Sequence, residues 1–271
     1  MKIAALQIAY LGMSSNRLDY YLRICKSKDV KIVVLGEYVL NRFFKELEKT
    51  PKAMLKEQSL HQIKNLKELA KRYEITIVSP LVNVQKDKIY KTVAIFSPKK
   101  SSYYMQQILI DYKHWNEKRF FANSFDCLKE PPTFIVDGVK FGVIAGFELH
   151  FNIFFDYFTK KNVDVVLLPT ASTFDSNQRW REIIKSRAFL GNFYILRANR
   201  IGEFNDKETR WVFYGDSMCV DPNGKIISIL ADKEELLICD IDKEVVKESR
   251  KSWGFKRGMK EICSKLVQEQ I

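Results

Sequence analysis

Short apolar runs alternate along this chain with longer segments whose apolar residues recur every three or four positions. KIAALQIAY (2–10) and KIVVLGEYV (31–39) read as buried strands, and RLDYYLRICKS between them has helical spacing. From Lys45 to Tyr73 the pattern predicts a long helical region broken near Thr50-Pro51. ITIVSPLVNV, YKTVAIFSP and SSYYMQQILI follow as three strands, the last running on through Gln106. TFIVDGVKFGVIAGF predicts two strands joined at Asp137-Gly138, a short hairpin signal. FNIFFDYFTKK is helical, VDVVLLPTAS returns to strand, and RWREIIKSRAFLGNF is a helix. YILRANRIG, WVFYGDSMCVDP, KIISILA and ELLICDID are the remaining strand candidates, before a closing helix from Lys243.

No linker, repeat or low-complexity segment divides this series, so residues 1–271 are expected to form one domain with a C-terminal helix and tail from about residue 243. A β-α-β opening followed by strand clusters and single helices suggests stacked α/β layers, with helices outside two inner sheets. Hydrophobic residues make up 46% of the chain, enough for a substantial core. No run has the apolar length of a membrane span, and MKIAALQIAY, interrupted at Gln7, reads as a strand and not a signal peptide. A soluble, cytoplasmic protein is expected.

Cys25, Cys127, Cys219, Cys239 and Cys263 are scattered, with no CxxC pair. They suit reduced, mostly buried thiols better than a metal site or a disulfide framework, and no cofactor is implied. The formal charge of +12 raises nucleic acid as a partner. The basic residues are spread out, however, and the densest stretch, KESRKSWGFKRGMK (247–260), is equally a solvated helix with a docking tail. Nucleic acid stays the lesser alternative.

Candidate chemistry starts at Glu37, the carboxylate that ends the apolar strand IVVLGEY. Such a group can act as a general base, although alone it reads as an ordinary cap or salt bridge. GVIAGFELHF (142–151) is a strand that turns abruptly into a helix, a place where a nucleophile is often mounted, yet the turn carries Gly146. Taken in order with YKTVAIFSPKK, VDVVLLPTAS, RWREIIKSRA, ILRANRIG and YGDSMCVDPNGKII, these segments resemble the nitrilase, or carbon–nitrogen hydrolase, superfamily over nearly the whole length.

The resemblance implies an α/β fold, a four-layer α-β-β-α sandwich, and a homodimer or larger assembly. It also implies a Glu–Lys–Cys triad in which the Glu deprotonates the thiol, the Cys attacks an amide carbon, and the Lys stabilises the oxyanion. Glu37 matches the general base, and Glu117 in NEKRFF matches a second Glu. Gln106 falls on the lysine, with Lys113 as the alternative cation, and Gly146 falls on the cysteine. A further family Glu falls on Leu190. Thr170 and Ser172 have no histidine partner in the right segment, and His61, His114 and His150 are isolated. Losing the nucleophile of a covalent mechanism costs on the order of a million-fold in turnover. The expectation is therefore a pseudoenzyme that binds a small amide or amine in a pocket lined by Glu37, Glu117, Phe147 and Glu148. Two alternatives stand beside it: an amidase using water activated by Glu37 with Lys113 assisting, and a non-enzymatic interaction subunit or nucleic-acid binder.

Overall fold

Strand and helix periods resolve into two stacked sheets, seen in a computed structural model that describes residues 1–206 and 209–268, with side chains to residue 262. In chain order the first half comprises β1 (Lys2–Gln7), α1 (Asn16–Ser27), β2 (Val30–Leu35), α2 (Phe44–Leu47), α3 (Lys52–Tyr73), β3 (Thr76–Gln85), β4 (Lys88–Phe96) and β5 (Ser101–Met105). After α4 (Glu117–Phe120) come β6 (Thr133–Val136), β7 (Val139–Val143), a 3-10 turn at Gly146–His150, α5 (Asn152–Lys160), β8 (Val165–Thr170), α6 (Asn177–Gly191) and β9 (Tyr194–Asn199). The chain continues through β10 (Ile201–Asn205), β11 (Arg210–Tyr214), β12 (Met218–Val220), β13 (Ile226–Ile229), β14 (Glu235–Asp240), α7 (Lys243–Trp253) and α8 (Phe255–Gln268).

The first sheet has the order β14-β1-β2-β3-β4-β5 and the second β13-β12-β9-β8-β7-β6. Ile3, Ile32, Val34, Val93 and Ile95 of the first meet Val143, Leu167, Leu196 and Cys219 of the second in one buried core. Outside the first sheet, Leu18 and Leu22 of α1 and Leu66 and Leu69 of α3 cover Ala4, Val33 and Phe96. Outside the second, Phe154 and Phe158 of α5 and Ile184 and Ala188 of α6 cover Val166, Leu168 and Ile195. Helices, two sheets and helices make the four layers.

Three sequence expectations change in detail. The strand through SSYYMQQILI stops at Met105, before Gln106. YILRANRIG divides at Arg200, where β9 stays in the sheet and β10 leaves it to pair with β11. WVFYGDSMCVDP likewise divides into β11 and β12. The Asp137-Gly138 turn forms as read: φ is 47° and 75°, and Val136 pairs with Val139, the geometry of a type I′ hairpin.

Candidate functional site: two buried glutamates around one lysine

Gly36 sets the position of Glu37. A Cβ at residue 36 would lie 2.9 Å from the Arg200 nitrogen and 3.1 Å from the Thr170 oxygen, so only glycine lets the end of β2 press this closely on the second sheet. The contact is sealed by the Glu37 amide donating to Thr170 O at 3.0 Å. Tyr38 follows at φ 57°, a costly value for an aromatic residue. It is held there by Arg200, which donates to Tyr38 O at 3.0 Å, and by its own hydroxyl, which donates to Glu117 Oε1 at 2.6 Å.

Glu37 and Glu117 are both buried, as is Lys91 of β4, which brings them together. Lys91 Nζ lies 2.6 Å from Glu117 Oε1 and 2.9 Å from Glu37 Oε1. The second contact is at ion-pair distance but off the hydrogen-bond direction, which leaves Glu37 Oε1 without a hydrogen-bond donor. Burial holds the Glu37 carboxyl above the ordinary carboxylate range, opposed by Lys91 and reinforced by Glu117. For Lys91 burial works against the charge, but Glu117 and Glu37 together outweigh it and raise the amine.

Lys91 was not among the sequence candidates, yet β4 carries its signal. Ile89, Lys91, Val93 and Ile95 alternate along one face of the strand, and Val93 and Ile95 lie in the core between the sheets. A lysine in phase with such residues must be buried with a partner. Thr92 pairs with Met105 and Val93 with Tyr104, so the register carries Lys91 opposite Gln106, whose amide donates to Lys91 O at 3.1 Å. Gln106 is buried and donates through Nε2 to Ile108 O at 2.8 Å. Lys113 is exposed, in the turn between Asp111 and Asn116, and the buried cation of this site is Lys91 instead.

Gly146 opens the 3-10 turn directly over Glu37: a Cβ there would lie 2.9 Å from Glu37 Oε2. Among the described side chains no cysteine joins this cluster. Cys25, Cys219 and Cys239 are buried in the cores, Cys127 is exposed, and the Cys263 side chain lies outside the described residues.

Phe147 and Glu148, expected to line the same pocket, face other surroundings. Phe147 packs against Tyr112, His150 and Phe151. Glu148 accepts from the Ala145 amide at 2.9 Å and from the Gln107 amide and Tyr104 hydroxyl at 2.8 Å, fastening the 3-10 turn to the end of β5. The cavity beside Glu37 is lined by Tyr38, Asn41, Pro80, Leu81, Val82 and Lys91 and measures about 10 Å³. That is room for about one water molecule.

Burial raises the Glu148 carboxyl from 4.5 to about 7, against the pull of its amide donors. Its folded value exceeds its unfolded one, so its stabilising contribution is complete below the unfolded value and is lost as pH rises through about 7. The loss is roughly 3 kcal/mol. Urea unfolding of Glu148→Gln should show a stability difference between about pH 5 and about pH 8 smaller by that amount than in the wild type. An unchanged difference would mean that Glu148 is ionised throughout.

Among the described residues no helix is long and apolar enough to cross a membrane, and no group of three His, Cys, Asp or Glu could hold a metal ion. The carbon-nitrogen hydrolase family matches residues 2–251. The N-carbamoylputrescine amidase of Oryza sativa subsp. japonica is 22% identical over 276 residues, covering 95% of this chain and 91% of the relative. The omega-amidase of Saccharomyces cerevisiae is 25% identical over 272 residues, covering 93% and 90%. The fold is similar to the crystal structure of a carbon-nitrogen hydrolase from Helicobacter pylori G27, with TM-score 0.83, 23% identity and 95% of each chain covered.

Proposed function

Because this chain belongs to the carbon-nitrogen hydrolase family, and its relatives include amidases, we propose that it is an amidase-like homologue that does not carry out cysteine-dependent hydrolysis. The observation that carries this reading is Gly146 over Glu37: the position facing the candidate base, where a Cβ would lie 2.9 Å from Glu37 Oε2, supplies no nucleophile. A base without a nucleophile to deprotonate has no acyl transfer to promote.

The arrangement of charge supports the same reading. Lys91 lies between two buried acidic side chains and donates to Glu117, so its charge already serves the acids beside it. The cavity of about 10 Å³ on the Tyr38–Lys91 side of Glu37 takes about one water and no amide. In place of turnover, the cluster does structural work, tying the end of β2, β4 and the start of α4 together.

Ammonia release measured over a panel of simple amides, omega-amides and N-carbamoyl amines tests the proposal. The expected result is no release above the uncatalysed rate. Release that disappears in Glu37→Gln would overturn it.

A further inference from the structure

The basic stretch near the C-terminus folds into something more specific than a solvated helix. Where α7 meets α8, a pocket of about 480 Å³ is lined by Arg250, Lys251, Lys256, Arg257 and Lys260, and among the described residues no acidic side chain lines it. Gly191 at the end of α6 and Gly254 between the two helices form part of the same wall. The larger cavity beside α2 differs in kind, because there Glu46, Glu48 and Asp206 accompany Lys45 and Lys49.

Two of the five cations are held in place. Arg250 donates to Asp164 Oδ1 at 3.1 Å and to Val163 O at 2.6 Å. Lys256 donates to Lys160 O at 3.1 Å and to Asn162 Oδ1 at the end of α5. The Arg257 guanidinium lies close over Gly254, 3.4 Å from where a Cβ would be. Burial pushes the Lys256 amine below its ordinary value, and repulsion from Lys260, Arg250 and Lys140 pushes it further. Lys256 and Arg257 also sit in the first turn of α8, a 14-residue helix, where the dipole is positive.

We propose that this pocket binds a small, multiply phosphorylated molecule. Its volume falls in the range of small-molecule sites. One carboxylate would leave most of the charge uncompensated, whereas a chain of phosphates offers several anionic oxygens to lysine ammoniums and to the guanidinium forks. The site is separate from the Glu37 cluster and does not depend on whether amides are hydrolysed.

Calorimetric titration of the full chain with tripolyphosphate and with adenosine triphosphate, at about 100 mM salt, tests this. Both should bind, more weakly at higher salt, and the pair Lys256→Glu and Lys260→Glu should weaken binding by at least roughly tenfold. Lys251→Ala with Lys260→Ala is a second variant for the case that the first misfolds, and it should also weaken binding. Lys99→Glu with Lys100→Glu makes the same change of charge on an exposed turn elsewhere and should leave affinity within about twofold. No binding up to about 1 mM, or equal loss in the remote pair, would overturn the proposal. So would a single-stranded oligonucleotide that binds through these residues while tripolyphosphate does not.

Discussion

Replacing Lys91 with Met is expected to destabilise the fold by about 3–5 kcal/mol, because it strands two buried carboxylates that share one cation. The change is large against a total stability of about 5–15 kcal/mol, and should appear as a fall in Tm of roughly 10 °C. Most of the cost comes from carboxylates left without a partner, not from the loss of the lysine itself. Adding Glu37→Gln and Glu117→Gln to Lys91→Met should therefore recover most of the loss, since the Tyr38 hydroxyl can still donate to an amide oxygen. Thermal unfolding of the single and triple variants checks this. A Lys91→Met protein as stable as the wild type would show that the cluster is not held by this ion pair.

Gly146→Cys is expected to lower stability by about 1–3 kcal/mol, because the new Cβ starts 2.9 Å from Glu37 Oε2 and the carboxyl must move. Shortening Glu37 to Ala in that background removes the collision, so the two substitutions should be strongly non-additive in a double-mutant cycle. Restoring a thiol should not restore ammonia release. The lysine expected from the family is Gln106 here, and its side chain is held by Ile108 O at 2.8 Å. Release from Gly146→Cys alone would mean that the nucleophile was the single missing part.

The layers were legible in the sequence because buried strands and amphipathic helices have different periods, and the Asp137-Gly138 hairpin because its turn chemistry is local. The end of β5 was not, since past Gln106 the edge of β4 pairs instead with the segment after α4, where Ala122 donates to Ile89 O at 2.7 Å. Glu37 and Glu117 could be named from motif order, and the structure brings both to one lysine. Lys91 was missed because motif order looks along the chain, whereas a charge can be supplied from the neighbouring strand. Reading β4 by its alternating faces would have found it. Lys113 failed as a substitute for the complementary reason: it is close in sequence to Glu117 but sits on an exposed turn.

The first sheet also imposes an order on synthesis. β1 lies between β2 and β14, and its register with the latter sets Leu6 against Leu236. At roughly 5–20 residues per second, about 12–46 s separate the emergence of those two residues. Throughout that interval one edge of β1 has unpaired amides and carbonyls and an apolar strand behind them, open to any other extended segment. That edge of β1 therefore stays open to mispairing until β14 arrives.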